Sequence, residues 1–328
     1  MIRAGAAFAL AMLVASSPSA FPRLPSLVRT RQPTRAVLPH ASTRSLPRAL
    51  AAACLTATLA ACGDRSAPAR DDAAAQPPAT GAGNTAAGAT SADAGATPVY
   101  TYQVVTSYPH DPEAFTQGLF VTDGQMYEST GLEGHSTIRR VDLATGRVLQ
   151  RAAIDSQYFG EGIAAVGGRL YQLTWRNGKA FVYDRGSFSP RDTFKYTGEG
   201  WGLTTDGTSL VMSDGTARLR FLDPKSFAVQ RTLDVHDGPS PVSQLNELEW
   251  VKGEIWANVW QSEQIARIDP KTGAVVGWID LAGVLAAADR NGKEDVMNGI
   301  AYDAKRDKIY VTGKNWSRVY EIAIKRRS

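Results

Sequence analysis

Glu161 lies between Gly160 and Gly162 in FGEGIAAVGGRLYQLTW (159–175), a stretch otherwise patterned as a buried strand and ending on Trp175. Four other segments carry polar or aromatic residues at the place of Glu161, namely Gln117, Trp201, Asn246 and Asn298. The strand that follows each of the five ends on Gly131, Trp175, Gly215, Trp260 or Lys314. A carboxylate and an ammonium can move protons or steady charge, amides can donate hydrogen bonds, and indoles can wall off water. Chemically capable residues therefore gather at two equivalent positions of segments that are otherwise apolar or glycine. That coincidence predicts a functional pocket.

The elements that position these residues form a repeat. The segments are FTQGLFVTDGQMYESTG (115–131), FGEGIAAVGGRLYQLTW (159–175), EGWGLTTDGTSLVMSDG (199–215), LNELEWVKGEIWANVW (245–260) and MNGIAYDAKRDKIYVTGK (297–314). Each has a small apolar start, a turn such as Asp123-Gly124 or Asp206-Gly207, and a β-rich strand. Most continue into I-x-R-x-D-x-x-T-G-x-V, clearest from Ile138 to Val148 and from Ile265 to Val275. Asp142, Asp223 and Asp269 recur at its turn and read as turn caps, not as catalysts. The anchors Gly118, Gly162, Gly202, Glu247 and Gly299 are spaced by 44, 40, 45 and 52 residues. Four short strands in a unit of that length is a propeller blade, and a sandwich has no reason to repeat at this period. The expectation is an all-β, five-bladed β-propeller over 99–328. YTYQVVTSYPH (100–110) is left over and is expected to supply the outer strand of the last blade, closing the ring. AGVLAAADRNGKED (282–295) breaks the pattern and reads as a short helix or loop between blades. In a propeller, equivalent inner-strand positions face one axis, so the ring residues share one channel mouth. Phe115 and Phe159, two residues before Gln117 and Glu161, are expected on the same strand faces. Gly160 and Gly162 would let backbone or ligand come close.

Charge excludes one class of partner. The formal net charge is +4, but residues 1–62 hold seven arginines, no lysine and no acid. Without them, 29 basic residues face 32 acidic ones, which leaves no electrostatic footprint for nucleic acid. RSLPRALAAACLTATLAAC (44–62) reads as a secretory signal, and Leu59-Ala60-Ala61-Cys62 resembles a bacterial lipobox, in which Cys62 is lipidated. A second apolar run, AAFALAMLVASS (6–17), suggests a start codon downstream of Met1. Residues 63–98 are Ala, Gly, Pro, Thr and Asp without a large apolar side chain and read as a disordered tether. The expected location is the bacterial cell envelope, lipid-anchored and facing the periplasm. Gly63 after the cysteine favours the outer membrane, and nothing points away from a monomer. Cys54 and Cys62 are the only cysteines, so the domain has no disulfide and no thiol nucleophile. His110, His135 and His236 do not pair at ligand spacing, and no serine sits in a nucleophile elbow, so no catalytic metal site is expected.

FTQGL, YESTG, FGEGI, QLTW, GEGWGLTTDG, SDG, LNELE, IWANVW, NGIAYD and VTGKNW, in this order over 100–324, resemble the plant and bacterial type of glutaminyl-peptide cyclotransferase. The resemblance implies a five-bladed propeller with its pocket at the channel mouth. By motif, that pocket contains Phe115, Gln117, Phe159, Glu161, Trp175, Trp201, Asn246, Trp260 and Lys314. The implied substrate is a peptide or protein with an N-terminal glutamine, whose α-amine attacks its own side-chain amide to give pyroglutamate and ammonia. Phe115, Phe159, Trp175, Trp201 and Trp260 would mould the bent substrate. Glu161 would shuttle the proton, and Lys314, Asn246 or Gln117 would face the developing oxyanion. The reaction needs no cofactor; a structural divalent ion in the channel is left open. Two other readings stand beside it. A metal-dependent, lactonase-like propeller hydrolase could use Glu161, Asn246 and Asn298 as oxygen ligands, although Lys314 would oppose a cation. A non-catalytic periplasmic binding propeller would not need a polar group walled by tryptophans.

Overall fold

The computed structural model describes residues 95–327. The two signal-like runs, Cys54, the lipobox with Cys62 and most of the proposed tether lie outside the described residues. Strand β1 (Val99–Pro109) is followed by four strands, β2 (Thr116–Thr122), β3 (Gln125–Thr130), β4 (Thr137–Asp142) and β5 (Arg147–Ala153), which form one antiparallel sheet. A second sheet holds β6 (Gly160–Val166), β7 (Arg169–Thr174), β8 (Lys179–Asp184) and β9 (Pro190–Lys195). A third holds β10 (Leu203–Thr205), β11 (Leu210–Met212), β12 (Arg218–Leu222) and β13 (Val229–Asp234). The two-residue strands β14 (His236–Asp237) and β15 (Ser240–Pro241) make a small hairpin. Then follow β16 (Leu245–Val251), β17 (Glu254–Val259), β18 (Gln264–Ile268), β19 (Val275–Asp280), a 3-10 turn at Ala287–Asp289, β20 (Met297–Asp303), β21 (Lys308–Gly313) and β22 (Arg318–Arg326). The turn falls inside the expected insertion at 282–295.

β1 joins these last strands into one eight-stranded sheet, in the order β16-β17-β18-β19-β1-β22-β21-β20. It pairs antiparallel with β22, as expected of the strand that completes the last blade, and also parallel with β19 through Val99 and Tyr100. Division at the β1–β19 seam gives four-stranded blades throughout, five in all. The inner strands β2, β6, β10, β16 and β20 contact one another in sequence, and β20 returns to β2.

Each blade buries both faces, because strand side chains alternate. Leu119 and Met126 face Ala301 and Tyr310 of the last blade, whereas their neighbours Phe120 and Tyr127 face Ile163 and Tyr183 of the second. One apolar core fills every junction between neighbouring blades, including that between last and first. The Asp turn recurs in every blade. Asp142, Asp184, Asp223, Asp269 and Asp303 each accept the backbone N–H three residues on, at 2.8–3.2 Å.

His110 is buried in the lock that joins first and last blades. Its Nδ1 lies 2.7 Å from the Trp316 carbonyl and its Nε2 2.9 Å from Glu128 Oε1. Both partners are acceptors, so both ring nitrogens must donate and the ring is an imidazolium. Thr116 donates to the same Glu128 oxygen, and Arg139 approaches its other oxygen at 3.8 Å while binding Asp111. Burial alone would lower the His110 pKa; the charge and hydrogen bond of Glu128 and the Trp316 carbonyl outweigh it, and the net shift is upward. An unfolded histidine titrates near about 6.5. The contribution of His110 to stability is therefore complete below that pH and is lost as pH rises through the higher folded value. His110→Ala should cost about 3–5 kcal/mol, by leaving Glu128 without its partner. Thermal melts at a series of pH values should show the gap between wild type and variant narrowing as pH rises.

Candidate functional site

The ring residues lie where the ladders between inner and second strands slip register. Irregularities fall between Thr116 and Gly118, Gly160 and Ile163, Leu245 and Leu248, and Met297 and Ile300. Gln117, Glu161, Asn246 and Asn298 sit in these bulges, which re-aim side chains away from strict alternation. Glycines at 160 and 162 serve backbone approach. A Cβ on Gly162 would come within 2.7 Å of the Trp201 carbonyl oxygen, and one on Gly160 within 2.8 Å of that of Thr130. The Gly162 N–H donates to the same Trp201 carbonyl at 2.7 Å.

A second set of residues lies just outside the strands at one end of the ring. Phe115 and Phe159 precede β2 and β6 by one residue, so strand alternation, the expectation from sequence, does not place them. Trp175, Trp260 and Lys314 follow β7, β17 and β21 by one residue. A repeated backbone bond fixes the pairs: Gly131 N–H donates to Phe115 O, Trp175 N–H to Phe159 O and Trp260 N–H to Gln244 O, at 2.8–3.0 Å. The side chains form an arc. Lys314 Nζ stands 4.8 Å from the centre of the Phe115 ring; Phe115 meets Phe159 edge-on at 6.1 Å, and Phe159 meets Trp175 at 5.6 Å. Trp201 meets Trp260 edge-on at 5.7 Å. Gly131 and Gly215 stand where other blades have Trp175 or Trp260, because the neighbouring ring needs the space. A Cβ on Gly131 would overlap Phe159, and one on Gly215 would come within 2.8 Å of Trp201.

Within this arc Glu161 is only 5% exposed. Gln117 Nε2 donates to Glu161 Oε1 at 3.2 Å, while Asn298 Nδ2 donates to Gln117 Oε1 at 3.0 Å. Gln117 and Asn298 therefore orient the carboxylate. Burial raises the Glu161 pKa well above the ordinary carboxylate range; the Lys314 charge opposes this without cancelling it, and Glu199 adds to it. Burial likewise lowers the pKa of Lys314, against the attraction of Glu161 and Asp295. No carboxylate among the described residues lies within ion-pair distance of the Lys314 ammonium, so acid and cation face one pocket without a direct bridge. Asn246 is 4% exposed, and its Oδ1 is buried without a partner. Among the described residues no group of three or more His, Cys, Asp or Glu could hold a metal ion.

Sequence reasoning missed Glu199, which accepts hydrogen bonds from the indoles of Trp175 and Trp201 at 2.8 and 2.9 Å. It gave no role to the carboxylates of Glu247, read only as an anchor position, and Glu249, both buried on β16. Glu247 sits at an anchor position that is glycine in the other blades. The surface depressions of about 310 and 430 Å³, beside Val148 and Arg218, share no residue with the arc.

Residues 79–324 match the family described as Glutamine cyclotransferase. A glutaminyl-peptide cyclotransferase of Arabidopsis thaliana is 44% identical over 230 residues, which span 69% of this chain and 72% of that protein. The crystal structure of Myxococcus xanthus glutaminyl cyclase matches with a TM-score of 0.66 at 37% identity, over 70% of this chain and 99% of that one.

The crowding at Gly131 provides a test of the arc. Gly131→Ala should displace the Phe159 ring and lower kcat/KM roughly tenfold, since small misplacements at a reacting centre are costly. Melting temperature should fall by only a few degrees, because the clash is with a movable side chain. Steady-state kinetics beside a thermal melt would separate the two.

Proposed function

This chain belongs to the glutamine cyclotransferase family, and we propose how its pocket carries out the family's reaction. The protein converts N-terminal glutaminyl residues of peptides to pyroglutamate with release of ammonia, which leaves no role for the metal-hydrolase or binding-scaffold readings. The observation that carries the mechanism is Glu161, a buried carboxylate of raised pKa within an arc of aromatic rings.

The substrate residue holds both nucleophile and electrophile, so much of the rate gain comes from fixing the bent conformer. Phe115, Phe159, Trp175, Trp201 and Trp260 supply the mould and keep water out. The neutral α-amine attacks the side-chain amide carbon, forming the ring C–N bond and placing negative charge on the amide oxygen. Lys314 and the side-chain N–H group of Asn246 are the donors to that oxygen. Gln117 acts mainly on Glu161, to which it is already bonded. The Glu161 carboxylate takes a proton from the attacking nitrogen and returns it to the departing one. The C–N bond to that nitrogen then breaks, and ammonia leaves. A carboxylate of raised pKa is a stronger base than an exposed one, which suits it to take the proton of the attacking amine.

The envelope location remains part of the proposal. The lipobox ending at Cys62 and the polar tract after it support a lipid-anchored, periplasm-facing enzyme acting as a monomer. Cys62→Ala should move the protein from the membrane fraction to the soluble one on cell fractionation; retention in the membrane would refute the anchor.

Conversion of a glutaminyl dipeptide by the wild-type domain, followed by ammonia release and mass spectrometry, tests the activity. Glu161→Gln should lower kcat by roughly 10²–10⁴-fold with little change in KM. Lys314→Met should lower it roughly 10²-fold. The kcat/KM profile of the wild type should rise with pH through a limb above the ordinary carboxylate range, as Glu161 loses its proton, and fall again as Lys314 loses its own.

A further inference from the structure

Glu199 lies in the loop between β9 and β10, and its side chain is 37% exposed, so burial does not account for its contacts. Its Oε2 accepts both the Trp175 Nε1–H at 2.8 Å and the Trp201 Nε1–H at 2.9 Å. Its Oε1 accepts Arg176 Nε–H at 3.2 Å, and the Arg176 guanidinium lies 3.6 Å above the Trp175 ring. The loop is itself held. Arg220 of β12 donates to the carbonyls of Thr197 at 2.8 Å and Glu199 at 3.1 Å, and binds Asp214 at 3.2 Å. Gly200 N–H donates to the Trp175 carbonyl at 2.9 Å. An indole has a single N–H, so the acceptor of that hydrogen fixes the direction in which the ring edge points. Trp175 comes from the second blade and Trp201 from the approach to the third. One carboxylate oxygen thus sets the angle between two walls of the pocket that no direct ring contact joins.

We propose that Glu199 is the positioning residue of the cyclisation pocket, clamping the Trp175 and Trp201 indoles in the orientation that moulds the bent glutaminyl substrate. The inference rests on the cyclase reading given above. Indoles with one shared acceptor keep their facing angle while the pocket is empty, so ordering two large rings is not left to the substrate. The same carboxylate bears on the proton acceptor. The charged and titratable groups that face Glu161 are Lys314, Glu199 and the hydroxyl of Tyr196. Of these, Glu199 opposes ionisation of Glu161, after burial and against Lys314. Removing its charge lowers the pH at which Glu161 gives up its proton.

The test compares wild type, Glu199→Ala and Glu199→Gln with a glutaminyl dipeptide across a pH series. Failure of the folded wild type to convert the peptide would refute the cyclase reading itself, whatever the variants do. Given wild-type conversion, Glu199→Ala should raise KM roughly tenfold or more, since both indoles lose their charged acceptor. Glu199→Gln keeps one acceptor oxygen and should recover part of that loss in KM. Its acidic limb in kcat/KM should nevertheless move to lower pH, a shift that a purely structural role would not produce. Wild-type KM in Glu199→Ala, or an unmoved limb in Glu199→Gln, would overturn the proposal. If Glu199→Ala does not fold, Glu199→Gln decides through its KM and its acidic limb together, and a wild-type value of either overturns the proposal.

Discussion

The inner strands of the ring approach one another more closely than side chains permit. A Cβ on Gly118 would meet the Ile163 backbone nitrogen at 2.7 Å, and one on Gly202 the Asn246 carbonyl carbon at 2.9 Å. This contact of backbone on backbone is what allows a small ring to close. It also determines where chemistry can be placed. The residue before each contact point has nowhere to go but the mouth, and the local bulges turn Gln117, Glu161 and Asn246 toward it. The fourth blade solves the same problem differently. Glu247 sends its carboxylate across the ring to the N–H groups of Leu119 at 3.1 Å and Ile300 at 2.8 Å, so β16 is tied to β2 and β20. Burial and the neighbouring Glu249 raise its pKa well above the ordinary range, and burial takes Glu249 up to about 8.

Glu161 inherits its properties from this geometry. A carboxylate on an open strand would be solvated and weakly basic. Here it is buried, with a single hydrogen bond to Gln117 and a cation that shares the pocket without touching it. Asn298 donates to the Thr116 carbonyl and to Gln117 Oε1, which holds the Gln117 amide in place beside Glu161. Aromatic rings complete the enclosure, and glycines at 131 and 215 make room for them. The burial of Glu161, its raised pKa and the packing of the surrounding rings thus derive from one arrangement of strands.

Much of this was legible in the sequence, because a repeat converts one pattern into several independent observations. The period gave the propeller, the leftover residues 100–110 gave the closing strand, and the position before each anchor gave Glu161, Gln117 and Asn246. What escaped was what equivalence cannot encode. Glu199 has no ring position; its function depends on two indoles whose N–H directions are known only after folding. His110 and Glu128 are 18 residues apart and meet only in the folded chain, so neither carries a spacing signal. The second pairing of β1, with β19, also left no mark, since parallel pairing through two residues needs no extra sequence pattern. Phe115 and Phe159 belong to the pocket, but the alternation argument does not explain them, because both lie ahead of their strands.

The double pairing of β1 has a kinetic consequence. Tyr100 meets Arg326 where β1 pairs with β22, so the contact that completes the last blade joins the two extremes of the domain. Each blade can form from local hairpins, but closure must wait until the whole domain has been made, and such contacts of high sequence separation form slowly. Until then two edges, β19 and β22, remain unpaired, and a single strand must satisfy both. The strand of this domain that is made first is thus the one that closes it, and β1 covers edges that would otherwise be open to strands of other chains.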